Sequence, residues 1–152
     1  MNELMQQGAR QAVRNCVKLE PGEKVVIITD RQTKHLAEYL KYEAEKIATV
    51  KQFIMEDFGE RPEDGNNPLK FPDEIKSALK EAQVSLYIAQ TKKGELVSFR
   101  KPMISQVNEN LRHAHMPGFT EEMMVTGLAA DYEFVQETTK KVYETVKNAS
   151  KI

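Results

Sequence analysis

The chain has 152 residues, the length of one ordinary domain, and 40% of them are hydrophobic, which is enough to bury a core without disulfides or a structural metal. Its 22 Lys and Arg balance its 23 Asp and Glu, which argues against a nucleic-acid binder, because such domains carry a clustered basic excess. Neither a run of about 18 apolar residues nor an apolar stretch near the first residue occurs, so the sequence predicts no membrane span and no secretory signal.

The first predicted element is an amphipathic helix over residues 2–17. Its apolar residues recur at spacings of three and four, as expected of one buried stripe: Met5, Ala9, Ala12, Val13, Cys16 and Val17. We therefore expect the Cys16 thiol to be buried as a small hydrophobe. A single cysteine also fits a reducing compartment, so we expect a cytoplasmic protein.

Strand and helix patterns alternate over the rest of the chain. Four β-branched residues at 25–28 predict a strand that is covered on both faces, and Asp30 is placed to cap the helix that follows, to about residue 46. Further strands are predicted at 49–55, 84–89 and 112–116, and further helices at 72–82, 95–110 and beyond Thr120. Thr120 and Asp131 are placed to cap the last two helices. The pattern predicts a three-layer α/β sandwich of Rossmann or flavodoxin-like type, whose short, mainly parallel four-stranded sheet has the order 2-1-3-4.

A loop of about fifteen residues, 56–71, separates the second strand from the next helix. Residues 56–74 carry seven acids against Arg61 and Lys70, a local charge of −5. A loop of this length within one domain is either a functional segment or a solvated connector.

Ligands of open α/β sheets bind beyond the carboxyl ends of the strands, where the strand order reverses. For the order 2-1-3-4 this point lies between the first and third strands, which end at Asp30 and at Thr91, Lys92 and Lys93. Together with the next helix N-terminus, these residues could bind a small anion or phosphate. The alternative is that the two lysines are simply solvated, and no glycine-rich phosphate loop supports the ligand.

His113 and His115 share one face of the last strand and could reach one metal ion. A metal site needs a third protein ligand, which the sequence does not supply, so hydrogen-bonded strand histidines are the favoured interpretation. His35 is expected on the surface. No catalytic residues and no metal ligands are predicted.

The last helix carries a heptad-like apolar seam to the end of the chain. Its members are spaced four and three apart: Leu128, Tyr132, Val135, Thr139, Val142, Val146 and Ala149. The seam predicts packing against the domain's own sheet or, for its outer half, against a second subunit or another domain.

Two segments resemble one enzyme family. Residues 16–30 read C-x-K-x-x-P-G-E-x-V-x-I-x-T-D, and residues 116–123 read MPGFTEEM, followed by Gly127 and Ala130-Asp131-Tyr132. Both motifs are similar to the N-terminal part of the thermophilic metallo-aminopeptidases, also called the aminopeptidase T or leucyl aminopeptidase-like family. With the elements between the motifs, the resemblance covers nearly the whole chain.

The resemblance implies one α/β domain, residues 1–152, of a longer metal-dependent aminopeptidase. In that family a C-terminal domain holds two divalent ions (Co²⁺, Zn²⁺ or Mg²⁺), and none of its ligands has a matching position here. It therefore implies a chain that is inactive alone, binds peptide substrate only with the catalytic domain, and forms a homodimer. The alternative function is a stand-alone module that binds a small anion or phosphate through Asp30, Thr91, Lys92 and Lys93.

Overall fold

A computed structural model describes residues 2–150. Its sheet has four parallel strands in the order β2-β1-β3-β4, which confirms the predicted order. The strands are β1 (Lys24–Thr29), β2 (Thr49–Ile54), β3 (Val84–Ala89) and β4 (Arg112–Pro117). The helices are α1 (Glu3–Gln11), α2 (Lys34–Glu45), α3 (Asp73–Glu81), α4 (Lys101–Ile104), α5 (Glu121–Met123) and α6 (Tyr132–Val146). None of these described helices is long and apolar enough to cross a bilayer.

Helices cover both faces of the sheet, as the unbroken apolar run at 25–28 predicted. Side chains alternate between faces along each strand. On one face, Val25 and Ile27 of β1 join a core with residues of α1 and α2. On the other, Val26 and Ile28 join a core with α3 and α4. The three-layer α/β class is therefore confirmed.

Three helices adjoin wide π-helical turns, one of which, at Met124–Leu128, follows α5. The α1 segment continues as a π-helical turn at Ala12–Cys16, and a similar turn at Leu96–Arg100 precedes α4. The predicted helix over 95–110 is thus too long, since α4 ends at Ile104. The Ser105 hydroxyl donates to the Pro102 carbonyl oxygen at 2.7 Å, and such local bonds compete with helix continuation.

The predicted caps of the last two helices are present. The Thr120 hydroxyl oxygen accepts from the Met123 amide at 3.3 Å, and Asp131 accepts from the Glu133 amide at 3.0 Å. However, α6 ends at Val146 rather than at the end of the chain. No residue of α6 is buried, so packing of this helix on the domain's own sheet was a wrong alternative.

Candidate functional site

The carboxyl ends of β1 and β3 are adjacent and form the crevice at which ligands of open α/β sheets usually bind. Asp30 follows β1 directly and is only 1% exposed. One carboxylate oxygen accepts from the Thr33 amide and from the Thr33 hydroxyl, both at 2.7 Å. The other accepts from the Gln90 amide at 2.6 Å, which joins the two strand ends. Asp30 therefore holds the entry to α2, although the helix itself begins only at Lys34.

Arg61 fills the crevice from the acidic loop. Its side chain is 2% exposed, and its Nη1 donates to Asp30 at 2.8 Å and to Glu56 at 3.0 Å. Its Nε and Nη2 donate to both carboxylate oxygens of Glu95, at 2.7 and 2.8 Å. Nη2 also donates to the Gln90 carbonyl oxygen at 2.7 Å. All five guanidinium N–H groups can thus donate a hydrogen bond, and this planar set of five donors is what distinguishes arginine from lysine.

These contacts determine the ionisation of the buried groups. Burial by itself would raise the pKa of Asp30, but hydrogen bonds from Arg61, Thr33 and the Gln90 amide outweigh it and hold that pKa below its usual range. Burial opposes the charged form of Arg61, and the bonds to Glu95 and Asp30 outweigh that effect and raise its pKa. Both groups are therefore charged at neutral pH and form a closed ion-pair network.

The remaining predicted ligand residues lie at the rim of the same crevice. Thr91 is exposed, and the Lys92 ammonium pairs with Glu63 of the acidic loop. The aliphatic part of Lys93 packs against Gly65, where an added Cβ would stand 2.8 Å from the Lys93 Cγ. Thr91 directly follows Gln90, whose amide bonds Asp30, and the binding of an anion by these four residues stays a prediction.

Arg61, Glu56 and Glu95 were missed by the sequence analysis. The available signal was one arginine within a run of acids, at 56–74. Of the two alternatives for this loop, a purely solvated connector was wrong, because Arg61 enters the crevice and Leu69 joins the core.

A second polar cluster lies at the β4 edge of the sheet. The His113 Nδ1 is 2.7 Å from the Ser85 hydroxyl, and its Nε2 is 3.3 Å from the Nδ1 of His115. The His115 ring stacks on Tyr87, with centroids 5.0 Å apart and planes 16° apart. The histidines are therefore hydrogen-bonded, as the sequence favoured. Within residues 2–150, no three His, Cys, Asp or Glu side chains are close enough to hold a metal ion.

Cys16 is exposed, which corrects the prediction of a buried thiol. The π-helical turn at Ala12–Cys16 rotates it off the buried stripe. Its Sγ lies 3.3 Å from the Tyr132 hydroxyl, at the start of α6. His35 is exposed, as expected, with its Nε2 3.0 Å from a Glu121 carboxylate oxygen.

No protein-family model and no curated protein matches the sequence. Among solved structures, the chain is similar to wild-type AmpT from Thermus thermophilus, with a TM-score of 0.42 and 17% identity. The match covers 82% of this chain and 41% of AmpT, so the chain spans about two fifths of AmpT's length. A TM-score below 0.5 is too low to assign a function.

Proposed function

We propose that the chain is a non-catalytic α/β domain of an aminopeptidase-like protein. The support is the pair of sequence motifs that resemble those of the metallo-aminopeptidase family, and residues of the two motifs contact each other across the fold. Cys16 of the first motif lies 3.3 Å from the hydroxyl of Tyr132, in the second. Gln90, which bonds Asp30 of the first motif, donates to the Phe119 carbonyl oxygen of the second at 3.3 Å.

The bonding of these motif residues favours a scaffolding role. Both carboxylate oxygens of Asp30 accept hydrogen bonds from within the domain, and Asp131 caps α6. The Glu23 carboxylate pairs with Arg112, at the start of β4. Groups committed to such bonds hold loops in place and are not free to bind a metal or move a proton.

The partner that we propose is a second copy of the chain, bound through α6. The helix exposes a coherent apolar stripe, with Val142 57% and Val146 37% exposed. Its N-terminal half, residues 131–138, carries three acids and no base, whereas residues 139–150 carry three lysines and one acid. Two copies paired antiparallel would oppose these halves and align their helix dipoles favourably.

A peptidase assay tests the non-catalytic assignment. The purified chain should release no product above blank from aminoacyl p-nitroanilides, with Co²⁺, Zn²⁺ or Mg²⁺ added. Turnover that a chelator abolishes would contradict the proposal. Reading the coding sequence beyond Ile152 tests the proposal that the domain belongs to a longer aminopeptidase-like protein. A continuing frame with carboxylate and histidine ligands would support that proposal, and a stop codon would contradict it.

Anion binding at the strand exit remains the alternative proposal. A thermal-shift screen with phosphates and nucleotides tests it, because a ligand that binds only the folded state raises the melting temperature. Stabilisation that is lost in the Lys92→Ala/Lys93→Ala variant would favour an anion module. A flat screen would count against it.

A further inference from the structure

We propose that the free edge of β2 binds an extended peptide as a fifth strand, and that this peptide carries acidic side chains at every second position. Because β2 is the outermost strand on one side of the sheet, the site lies apart from the crevice between β1 and β3 and from α6. It is a different surface from those that support the aminopeptidase-like assignment, and it does not depend on that assignment.

The backbone of β2 presents hydrogen-bonding groups that no other described residue uses. The Thr49 amide donates to the Glu23 carbonyl oxygen at 3.1 Å, so the N–H and C=O groups of Thr49 and of every second residue after it point towards β1. Those of Val50, Gln52 and Ile54 therefore point away from the sheet. Within the described part of the chain these outward groups have no protein partner, and a row of such groups is a template for another strand.

The β2 edge lacks the features that usually protect a free edge, namely prolines, bulges and charged side chains that project over it. The strand contains no proline, and its six residues pair with β1 in continuous register. Lys51 is its one charged residue, and its ammonium lies 3.3 Å from Glu74 and 4.7 Å from the centroid of the Phe53 ring. The other edge strand, β4, ends in Pro117, which has no N–H to donate.

A groove of about 510 Å³ continues around the β2 edge. Its floor is β2, one wall belongs to α2, and the other wall belongs to the start of α3 and the segment that follows β2. Since α2 and α3 lie on opposite faces of the sheet, a groove lined by both passes around the free edge. The α2 wall carries Lys34, Glu38 and Lys41, and the α3 wall carries Asp57, Phe58 and Glu74.

The two walls favour different side chains on a bound peptide. On the α2 wall, Glu38 already accepts a hydrogen bond from the Gln52 amide group at 2.9 Å, which leaves Lys34 and Lys41 to attract an acid. The α3 wall carries two carboxylates and the partly buried ring of Phe58. Successive side chains of an added strand point to opposite faces. Acidic residues would therefore meet the lysines, and the apolar residues between them would meet Phe58.

The test is a titration of the ¹⁵N-labelled chain with the acetylated and amidated peptide Val-Glu-Val-Glu-Val-Glu-Val, followed by NMR. We expect the amide resonances of Val50, Gln52 and Ile54 to shift together and their hydrogen exchange to slow, while the amides of β4 stay unchanged. The same peptide with lysine in place of glutamate should bind about tenfold more weakly, because it would place like charges against the α2 wall.

Two variants separate the backbone of Gln52 from its side chain. Gln52→Pro removes one outward N–H, which takes no part in the pairing with β1, and should weaken binding about threefold to tenfold. Gln52→Ala keeps this N–H and is the matched control, with little change expected. Lys34→Glu should also weaken binding of the acidic peptide, whereas Lys80→Glu should not, since Lys80 is exposed and lies outside the groove lining.

Methylated peptides test the proposal on the parent chain, without any variant that has to fold. N-methylation of the glutamates removes the N–H groups of one peptide edge, and N-methylation of the valines removes those of the other. One methylated form should keep binding and the other should lose it, because an added strand pairs through one edge only.

Three outcomes would overturn the proposal. The first is equal behaviour of the two methylated peptides, and the second is the absence of any shift in the outward β2 amides at about 1 millimolar peptide. The third is a shift of these amides with protein concentration when no peptide is present, which would mean that a second copy of the chain occupies the edge.

Discussion

At the scale of single residues, Arg61 has the largest structural consequence. Its guanidinium neutralises the buried carboxylates of Asp30, which follows β1, and of Glu95, and it bonds the carbonyl oxygen of Gln90, which follows β3. A buried ion pair gains little over a well-packed apolar group, but removal of one partner leaves an uncompensated buried charge. The loop that delivers Arg61 is therefore energetically tied to the sheet.

The Arg61→Met variant should lose about 3–5 kcal/mol of unfolding free energy, because Asp30 and Glu95 would remain buried and unpaired. Urea denaturation at pH 7 measures the loss. Arg31→Met is the matched control, since Arg31 is exposed and lies 3.8 Å from Asp57, and it should change stability by less than about 0.5 kcal/mol. Equal effects of the two substitutions would contradict a structural role for Arg61.

His113 should make stability depend on pH. Its pKa is lowered from 6.5 to about 4 by burial and by His115. Between these values the unfolded chain binds more protons than the folded one, so the unfolding free energy falls as the pH drops from about 6.5 towards 4. Urea denaturation at pH 7, 6 and 5 should show this fall, and His113→Gln should reduce it. An identical slope in the variant would exclude His113 as its source.

At the scale of elements, α1 packs closely against the π-helical turn at Met124–Leu128. A Cβ added at Gly8 would overlap the Met124 carbonyl oxygen and stand 3.0 Å from its Cγ. Glycine is thus required at this position by close packing of two backbone segments and not by an unusual backbone angle. The contact ties the first helix to the segment that leads into α6.

Gly8→Ala should destabilise the protein by about 1–3 kcal/mol, because α1 must move away from the turn. Gly127→Ala provides the control within the same turn, since nothing lies within 4 Å of its added Cβ. That change should be neutral or slightly stabilising. The melting temperatures of the two variants test this prediction. A Gly8→Ala protein that melts at the temperature of the parent would contradict the close contact.

At the scale of the whole molecule, the feature that stands apart is α6. The body buries its apolar residues in two cores on either side of the sheet, whereas α6 leaves Val135 45% and Val142 57% exposed on one side of the helix. Contiguous exposed apolar surface of this kind usually marks an interaction site. The neutral residues that flank the stripe, such as Gln136 and Thr138, would permit a second copy to approach without like-charge repulsion.

We expect a dimer that dissociates when the stripe is charged. Val142→Glu should weaken self-association at least tenfold in sedimentation equilibrium, because a carboxylate would be buried between two apolar faces. Val97→Glu is the matched control, since Val97 is 68% exposed and lies outside α6. A protein that is still monomeric at about 100 micromolar would refute pairing through α6.

The architecture could be predicted from sequence, because hydrophobic periodicity and turn residues are local properties. The β-branched run at 25–28 predicted a strand covered on both faces, and the alternation of elements predicted the order 2-1-3-4, which the sheet has. The caps at Thr120 and Asp131 followed from the same local rules. The position of the crevice, though not its contents, followed from the strand order.

Only the tertiary structure decided what occupies the crevice and which surfaces remain uncovered. Arg61 is 31 residues from Asp30 and 34 from Glu95, and no local pattern specifies which side chain of a long loop returns to the sheet. The exposure of Cys16 likewise depends on one wide turn that periodicity does not register. Local chemistry determined the elements, whereas long-range packing and ion pairing determined the site.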